Sequence, residues 1–228
     1  MVKGFEEQSS SSDCHALAFE ERLGLLVDRE LTERNNRRLR TRLQRAKLRQ
    51  QACMEDIDYH QPRGLDKSLM KSLAACQWIR DHLNVLVTGP TGVGKSFIAC
   101  ALGHRACIEG FKVFYARAPR IFGELEVARG DGRYADLMST IAKSHLLIID
   151  DWGLSTLNDR EQRDLLEILE DRNGIHSTMI ASQIPVENWH DVIVNPTLAD
   201  AIMDRIIHSA YKINLKGESM RKKKSKLT

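Results

Sequence analysis

Gly89-Pro90-Thr91-Gly92-Val93-Gly94-Lys95-Ser96 follows directly on the apolar run Val85-Leu86-Val87 and leads into a helical stretch that starts at Phe97. No other feature restricts the fold so strongly. The spacing G-x-x-x-x-G-K-[ST] between a strand and a helix describes a loop that wraps phosphate. Its glycines let the backbone curl until successive N–H groups point at phosphate oxygens, and the N-terminal end of the following helix adds partial positive charge. Lys95 is placed to reach the β- and γ-phosphates, and the Ser96 hydroxyl to ligate Mg²⁺. All eight residues are therefore expected to bind nucleotide.

From about Leu65 onward short β-rich runs alternate with helical patterns. Strands are expected at 85–88, 112–115, 146–149, 177–181 and 211–214, with helices near 96–109, 119–144, 159–172 and 197–208. Such alternation predicts an α/β fold, a parallel five-stranded sheet between helices, as in P-loop NTPases. Asn158, with Glu161 three residues on, marks the start of one of these helices. Earlier in the chain, residues 8–12 read as loop. Residues 16–54 have almost no Gly or Pro, and Phe19, Leu23 and Leu26 recur at helical spacing, as do Leu39, Leu43 and Ala46. Two helices, or one long broken one, would satisfy that pattern. Pro62 and Gly64 mark 59–64 as a linker. The division expected is a helical N-terminal region at 1–60, a nucleotide-binding domain at 61–216 and a basic tail at 217–228.

Charge is distributed unevenly. Residues 34–49 hold eight basic side chains and no acid, just after a stretch, 20–33, that holds five acids. A second basic run ends the chain. Blocks of like charge repel themselves and favour a polyanion, the footprint expected for nucleic acid. Arg34, Arg37, Arg38, Arg42 and Arg45, with Lys222, Lys223 and Lys224, are the candidate DNA contacts. With 42% of its 228 residues hydrophobic, the chain can still build a sizeable core. Its longest apolar runs are only a few residues, too short for a bilayer, and its first residues lack the apolar core of a secretory signal. The five cysteines, at 14, 53, 76, 100 and 107, form no CxxC pair, so reduced thiols in a cytoplasmic protein, and no zinc, are expected.

Three further positions complete a candidate site. Leu146-Leu147-Ile148-Ile149-Asp150-Asp151 is a buried strand ending in two carboxylates. Asp150 suits the Mg²⁺ shell, and Asp151 suits the orientation or deprotonation of the attacking water. Gln183, with Ser182 as second choice, stands at the end of the next strand and is placed to sense the γ-phosphate or the water. Arg205 has no carboxylate three or four residues away on its own helix. An unpaired arginine there suits a finger reaching a neighbouring subunit's γ-phosphate.

These segments carry a resemblance. Residues 89–96, Arg129-Gly130-Asp131-Gly132-Arg133-Tyr134, Asp150-Asp151-Trp152-Gly153-Leu154, Ser182-Gln183-Ile184-Pro185, Pro196-Thr197-Leu198-Ala199-Asp200 and Gly217-Glu218-Ser219-Met220-Arg221 closely resemble IstB-like transposition helper ATPases, AAA+ proteins related to DnaC-type helicase loaders. The resemblance covers nearly the whole chain. It implies ATP and Mg²⁺ as cofactors, Mg²⁺-dependent ATPase activity stimulated by DNA or transposase, and a homo-oligomeric ring or spiral on double-stranded DNA. It further implies partnership with the transposase of the same element, an Asp-Asp pair as the usual arrangement, and a role in trans for Arg221. Arg63, Gly64 and Leu65 are positioned for adenine. The chain starts almost where the family has a further helical stretch, and no C-terminal helical lid is expected after Leu215. A DnaC-like helicase loader is the alternative. A small-molecule kinase, which needs an arginine-rich lid, and a DNA-binding module with negligible turnover are more distant readings.

Overall fold

The computed structural model describes residues 2–10 and 17–220. Cys14, Arg221, Lys222, Lys223 and Lys224 lie outside the described residues. Five strands, β1 (Asn84–Thr88), β2 (Val113–Arg117), β3 (Leu146–Trp152), β4 (Ser177–Ser182) and β5 (Ala210–Asn214), form one sheet in the order β2-β3-β4-β1-β5. Every neighbouring pair is parallel. Parallel strands are buried on both faces, which is why they were visible as continuous Val, Leu and Ile runs. Successive residues alternate between two cores. Val85, Val87, Tyr115, Ile148 and Met179 face one, Leu86, Ala116, Leu147, Ile149 and Ile180 the other.

The first face is covered by α3 (Lys67–Ala74), α4 (Gln77–Arg80) and α5 (Lys95–Ile108), whose Met70, Leu73, Trp78, Ile98 and Leu102 are buried there. The second is covered by α6 (Ala118–Gly130), α7 (Tyr134–Ala142), α8 (Asp159–Arg172) and α9 (Pro196–Ile207). The single helix expected over 119–144 is therefore two. Gly132 adopts φ +81° between them, a conformation that a helix cannot continue through. The start of α8 agrees with expectation: Asn158 Oδ1 accepts from the Arg160 and Glu161 amides, while the Glu161 carboxylate accepts from the Asn158 amide.

Before the sheet, α1 (Val2–Ser10) packs on α2 (Phe19–Ala46). Gln8 donates to the Arg22 carbonyl, and Glu7 pairs with Arg29. Residues 8–10, expected as loop, belong to α1. Residues 19–46 form one unbroken helix of 28 residues, about 42 Å long. Gly24 alone weakens it, and the pairs Arg29–Glu33 and Glu30–Arg34 support its surface. Its second half is anchored in the core of the sheet through Leu39, Leu43 and Ala46. The first half leaves Phe19, Leu23, Val27 and Leu31 exposed. Among the described residues no helical lid follows β5.

Candidate functional site

The strand order creates the site. β4 lies between β1 and β3, so the phosphate loop leaving β1 and the carboxylates ending β3 flank the C-terminal end of β4. Ligands of open parallel sheets bind at this edge. The loop is held in a conformation that demands glycine. Gly89, Gly92 and Gly94 all have positive φ, +146°, +85° and +102°. A Cβ on Gly89 would lie 2.4 Å from the Leu215 carbonyl oxygen, and one on Gly94 would lie 2.6 Å from Arg63 Nη1. Lys95 Nζ donates to the carbonyls of Gly89 (2.7 Å) and Pro90 (2.8 Å), so the ammonium sits inside the curl of the loop. Burial lowers its pKa, and the nearby charges of Asp150 and Asp151 oppose that shift. Ser96 is half-buried in the first turn of α5.

Asp150 is almost fully buried, at 1% exposure. One carboxylate oxygen accepts from the Tyr115 hydroxyl at 2.6 Å and the other from the Asp151 amide at 2.9 Å. Burial, followed by this hydrogen bond, pushes the Tyr115 hydroxyl well above the ordinary phenol range, so it stays a donor. Asp151 follows with φ +58°, where the β3–β4 register breaks between Ile149 and Trp152. A left-handed backbone at a residue with a side chain is uncommon and turns its carboxylate out of the strand's alternation. Asp151 Oδ2 accepts from Arg117 Nε at 2.5 Å and from Arg49 Nη1 at 3.2 Å.

Gln183 Oε1 accepts from the Thr91 hydroxyl at 2.6 Å, which brings the strand-end glutamine onto the phosphate loop. Ser182 is buried and structural: its hydroxyl donates to the Trp152 carbonyl and accepts from the Ile184 amide. The fold thus gathers the loop, Lys95, Ser96, Asp150, Asp151 and Gln183 at one edge. Arg205 is not among them. It stands near the end of α9 beside the start of β1, where the Asn84 amide donates to the Arg205 carbonyl, at the sheet edge opposite the loop. Nor is it unpaired. Its Nη2 donates to Glu170 Oε1 of α8 at 2.7 Å and its Nη1 to the Ala201 carbonyl. The expectation counted partners on one helix only, and Glu170 comes from another.

Arg34, Arg37, Arg38 and Arg45 are exposed on α2. Arg42 differs. It is half-buried and its Nε donates to the Cys107 carbonyl at the end of α5, a tie between helices. Arg63 lies buried beneath the phosphate loop, its Nη1 donating to the Val93 carbonyl and its Nη2 to that of Asp58. Tyr115 and Arg117 were missed. The β2–β3 register, which sets Arg117 opposite Asp150, is what would have revealed them. Cys53, Cys76, Cys100 and Cys107 are free thiols.

The residues present fit a magnesium-bound nucleoside triphosphate. They combine a glycine cradle, a buried ammonium, and a hydroxyl and a carboxylate as hard oxygen donors. The sequence pattern of the IstB-like ATP binding protein family matches residues 1–228. The chain belongs to that family. It is 53% identical to a Sinorhizobium fredii (strain NBRC 101917 / NGR234) protein, y4pL, named for ATP binding in an insertion sequence, over 97% of this chain and 91% of the relative. A Pseudomonas fluorescens protein named for ATP binding in the insertion sequence IS1162 is 47% identical over 81% of this chain and 80% of the relative. The fold is shared with the crystal structure of DnaI, at 20% identity and TM-score 0.61, over 72% of this chain and 91% of that one. It is shared also with the DnaC helicase loader, at 16% identity and TM-score 0.57, over 72% and 97%. These likenesses establish the AAA+ fold expected from the sequence. Family membership makes this an ATP-binding protein of the insertion-sequence type. No helix of the described residues is long and apolar enough to cross a membrane.

Proposed function

We propose that the protein is a cytoplasmic, Mg²⁺-dependent ATPase that assembles on duplex DNA and assists the transposase of its own insertion element. The observation that carries the reading is the convergence of Lys95, Asp150 and Gln183 around the end of β4, in a chain of this family. Lys95 and the loop amides bind the triphosphate. Ser96 and Asp150 would hold Mg²⁺, which would supply positive charge against the negative charge of the phosphates. Tyr115 fixes the Asp150 carboxylate through its 2.6 Å hydrogen bond. Asp151 takes the proton of the attacking water, and Gln183 orients that water or contacts the γ-phosphate.

Arg205 lies at the edge away from its own phosphate loop, so its catalytic use requires a second copy packed head to tail. It then leaves Glu170 for the neighbour's γ-phosphate, and ATP favours assembly. The exposed arginines 34, 37, 38 and 45 of α2, with Lys222, Lys223 and Lys224, contact DNA phosphates and give weak sequence preference. Hydrolysis removes the γ-phosphate contact and loosens the assembly.

The test is phosphate release with and without duplex DNA, together with electron microscopy in a slowly hydrolysed ATP analogue. Turnover that rises with DNA, and ordered rings or spirals on duplex, are expected. If about six phosphates are neutralised per bound unit, log affinity falls against log salt with a slope near −5. A slope near zero, or a lone particle indifferent to nucleotide and duplex, rejects the reading. The helicase-loader alternative draws on the fold shared with the DnaC helicase loader over 72% of this chain. Preference for single strands and capture of a helicase in place of the transposase would favour it.

A further inference from the structure

The basic helix and the carboxylate pair are physically connected. Lys47 closes α2 in a left-handed conformation, φ +50°, and turns the chain toward the site. The backbone then seats on α5, where the amides of Arg49 and Gln50 point at the buried Cys100 thiol. From this seat Arg49 Nη1 lies 3.2 Å from Asp151 Oδ2 and 4.0 Å from Asp150 Oδ2. Leu39, Leu43, Ala46 and Leu48 pack α2 and its end into the same core as α5. A shift at the end of the basic helix therefore reaches Asp151 through one side chain.

Two guanidinium groups converge on one oxygen of Asp151, Arg117 from β2 and Arg49 from the joint after α2. A carboxylate oxygen receiving two N–H donors offers no free lone pair in those directions, and both contacts fix where the group points. Arg117 belongs to a strand. Arg49 belongs to a joint and makes the longer contact, 3.2 Å against 2.5 Å, so it is the half of the clamp that can leave. Arg45 and Lys47 precede Arg49 in the same basic run, and both are exposed. A phosphate backbone that contacts Arg45 and Lys47 runs past the joint that carries Arg49. Phosphate accepts a guanidinium fork as well as a carboxylate does.

We propose that Arg49 is a positioning residue that couples duplex DNA on α2 to ATP hydrolysis. Without DNA it holds Asp151 in a resting direction. A DNA phosphate takes the Arg49 guanidinium, and Asp151, then held by Arg117 alone, can turn to accept the proton of the attacking water. The proposal rests on the ATPase and DNA-binding reading above.

The test compares the full-length protein with Arg49→Gln and Arg49→Lys, measuring ATP turnover with and without duplex DNA and the salt dependence of duplex affinity. Arg49→Gln raises DNA-free kcat several-fold with KM for ATP unchanged, and the DNA-stimulated ratio falls toward unity. Its plot of log affinity against log salt becomes shallower by about 0.9, one phosphate contact fewer. Arg49→Lys keeps the charge and hence the salt slope, but restrains Asp151 less than arginine does. A DNA-free kcat that is unchanged or lower, or stimulation equal to that of the unmodified protein, overturns the proposal. So does an unchanged salt slope. An unmodified protein that neither turns over ATP nor binds duplex refutes the functional reading and the coupling with it. An active unmodified protein with an indistinguishable Arg49→Gln variant refutes the coupling alone.

Discussion

Arg63 and Val93, thirty residues apart, are joined by a 2.9 Å hydrogen bond from the guanidinium Nη1 to the Val93 carbonyl, directly under the phosphate loop. The Arg63 carbonyl in turn accepts from the Lys216 amide, and its Nη2 donates to the Asp58 carbonyl. One residue at 5% exposure thus ties the incoming linker and the loop through its side chain and the segment after β5 through its backbone. Burial lowers its pKa, and its side-chain hydrogen bonds among the described residues go to backbone carbonyls. Arg63→Ala should cost about 2–3 kcal/mol of stability, because buried carbonyls lose a charged donor. It should also weaken nucleotide binding. Urea unfolding and titration with a fluorescent ATP analogue check both, and unchanged values would show that the loop stands without this support.

The glycines of the phosphate loop should not be equally tolerant. A methyl group on Gly89 meets backbone, the Leu215 carbonyl oxygen at 2.4 Å, which cannot step aside. One on Gly92 meets the Oγ and Cβ of Ser219, so relief needs a shift of the segment after β5, which is not a strand of the sheet. Both substitutions carry backbone strain. Gly89→Ala should therefore lower the melting temperature and the nucleotide affinity more than Gly92→Ala. Thermal unfolding with and without ATP analogue ranks them, and the reverse order contradicts this account. Lys95→Ala should abolish nucleotide binding while leaving the fold intact by circular dichroism.

If Arg205 serves a neighbour's nucleotide, two inactive variants should complement one another. Arg205→Ala should retain nucleotide affinity yet lose about a thousandfold in turnover, the lower range for an arginine finger. Mixed with Lys95→Ala, it should regain part of the activity, since interfaces then form between an intact loop and an intact finger. No recovery at any mixing ratio would leave Arg205 as a tie between α9 and Glu170 of α8.

His145 and His176 stack edge to face, with ring centroids 5.5 Å apart, and His82 lies beyond His176. Burial foremost, then the charges of Lys112 and Arg172, keeps the His145 pKa below its ordinary value. His176 shifts the same way, through burial, Arg172 and the other two histidines. The unfolded chain therefore binds protons near its ordinary histidine pKa of about 6.5 that the folded chain refuses. Stability should fall as pH drops from about 7.5 to 5.5 and should level off above that range. His176→Asn should lose less stability over the same interval. Equal pH dependence in thermal melts of the two proteins would remove these rings from the account.

The strands were legible because a parallel sheet buries both faces and so writes unbroken apolar runs. The phosphate loop was legible because its geometry requires glycine at fixed offsets. Features set by distant pairing were not. α3 and α4 have only eight and four residues, so too few turns repeat there for a period to be read. The break between α6 and α7 was written in Gly130-Asp131-Gly132, yet the apolar periodicity on either side concealed it. The Glu170 partner of Arg205 and the Arg49 contact with Asp151 span 35 and 102 residues, separations no helical or strand period can reach.

The Met220 amide donates to the carbonyl of Gly92, so the segment after β5 touches the phosphate loop. A fluorophore attached at Ser219 would crowd the mouth of that cleft and distort ligand titrations, whereas a label on the exposed start of α2 would stand at the far end of a long rod.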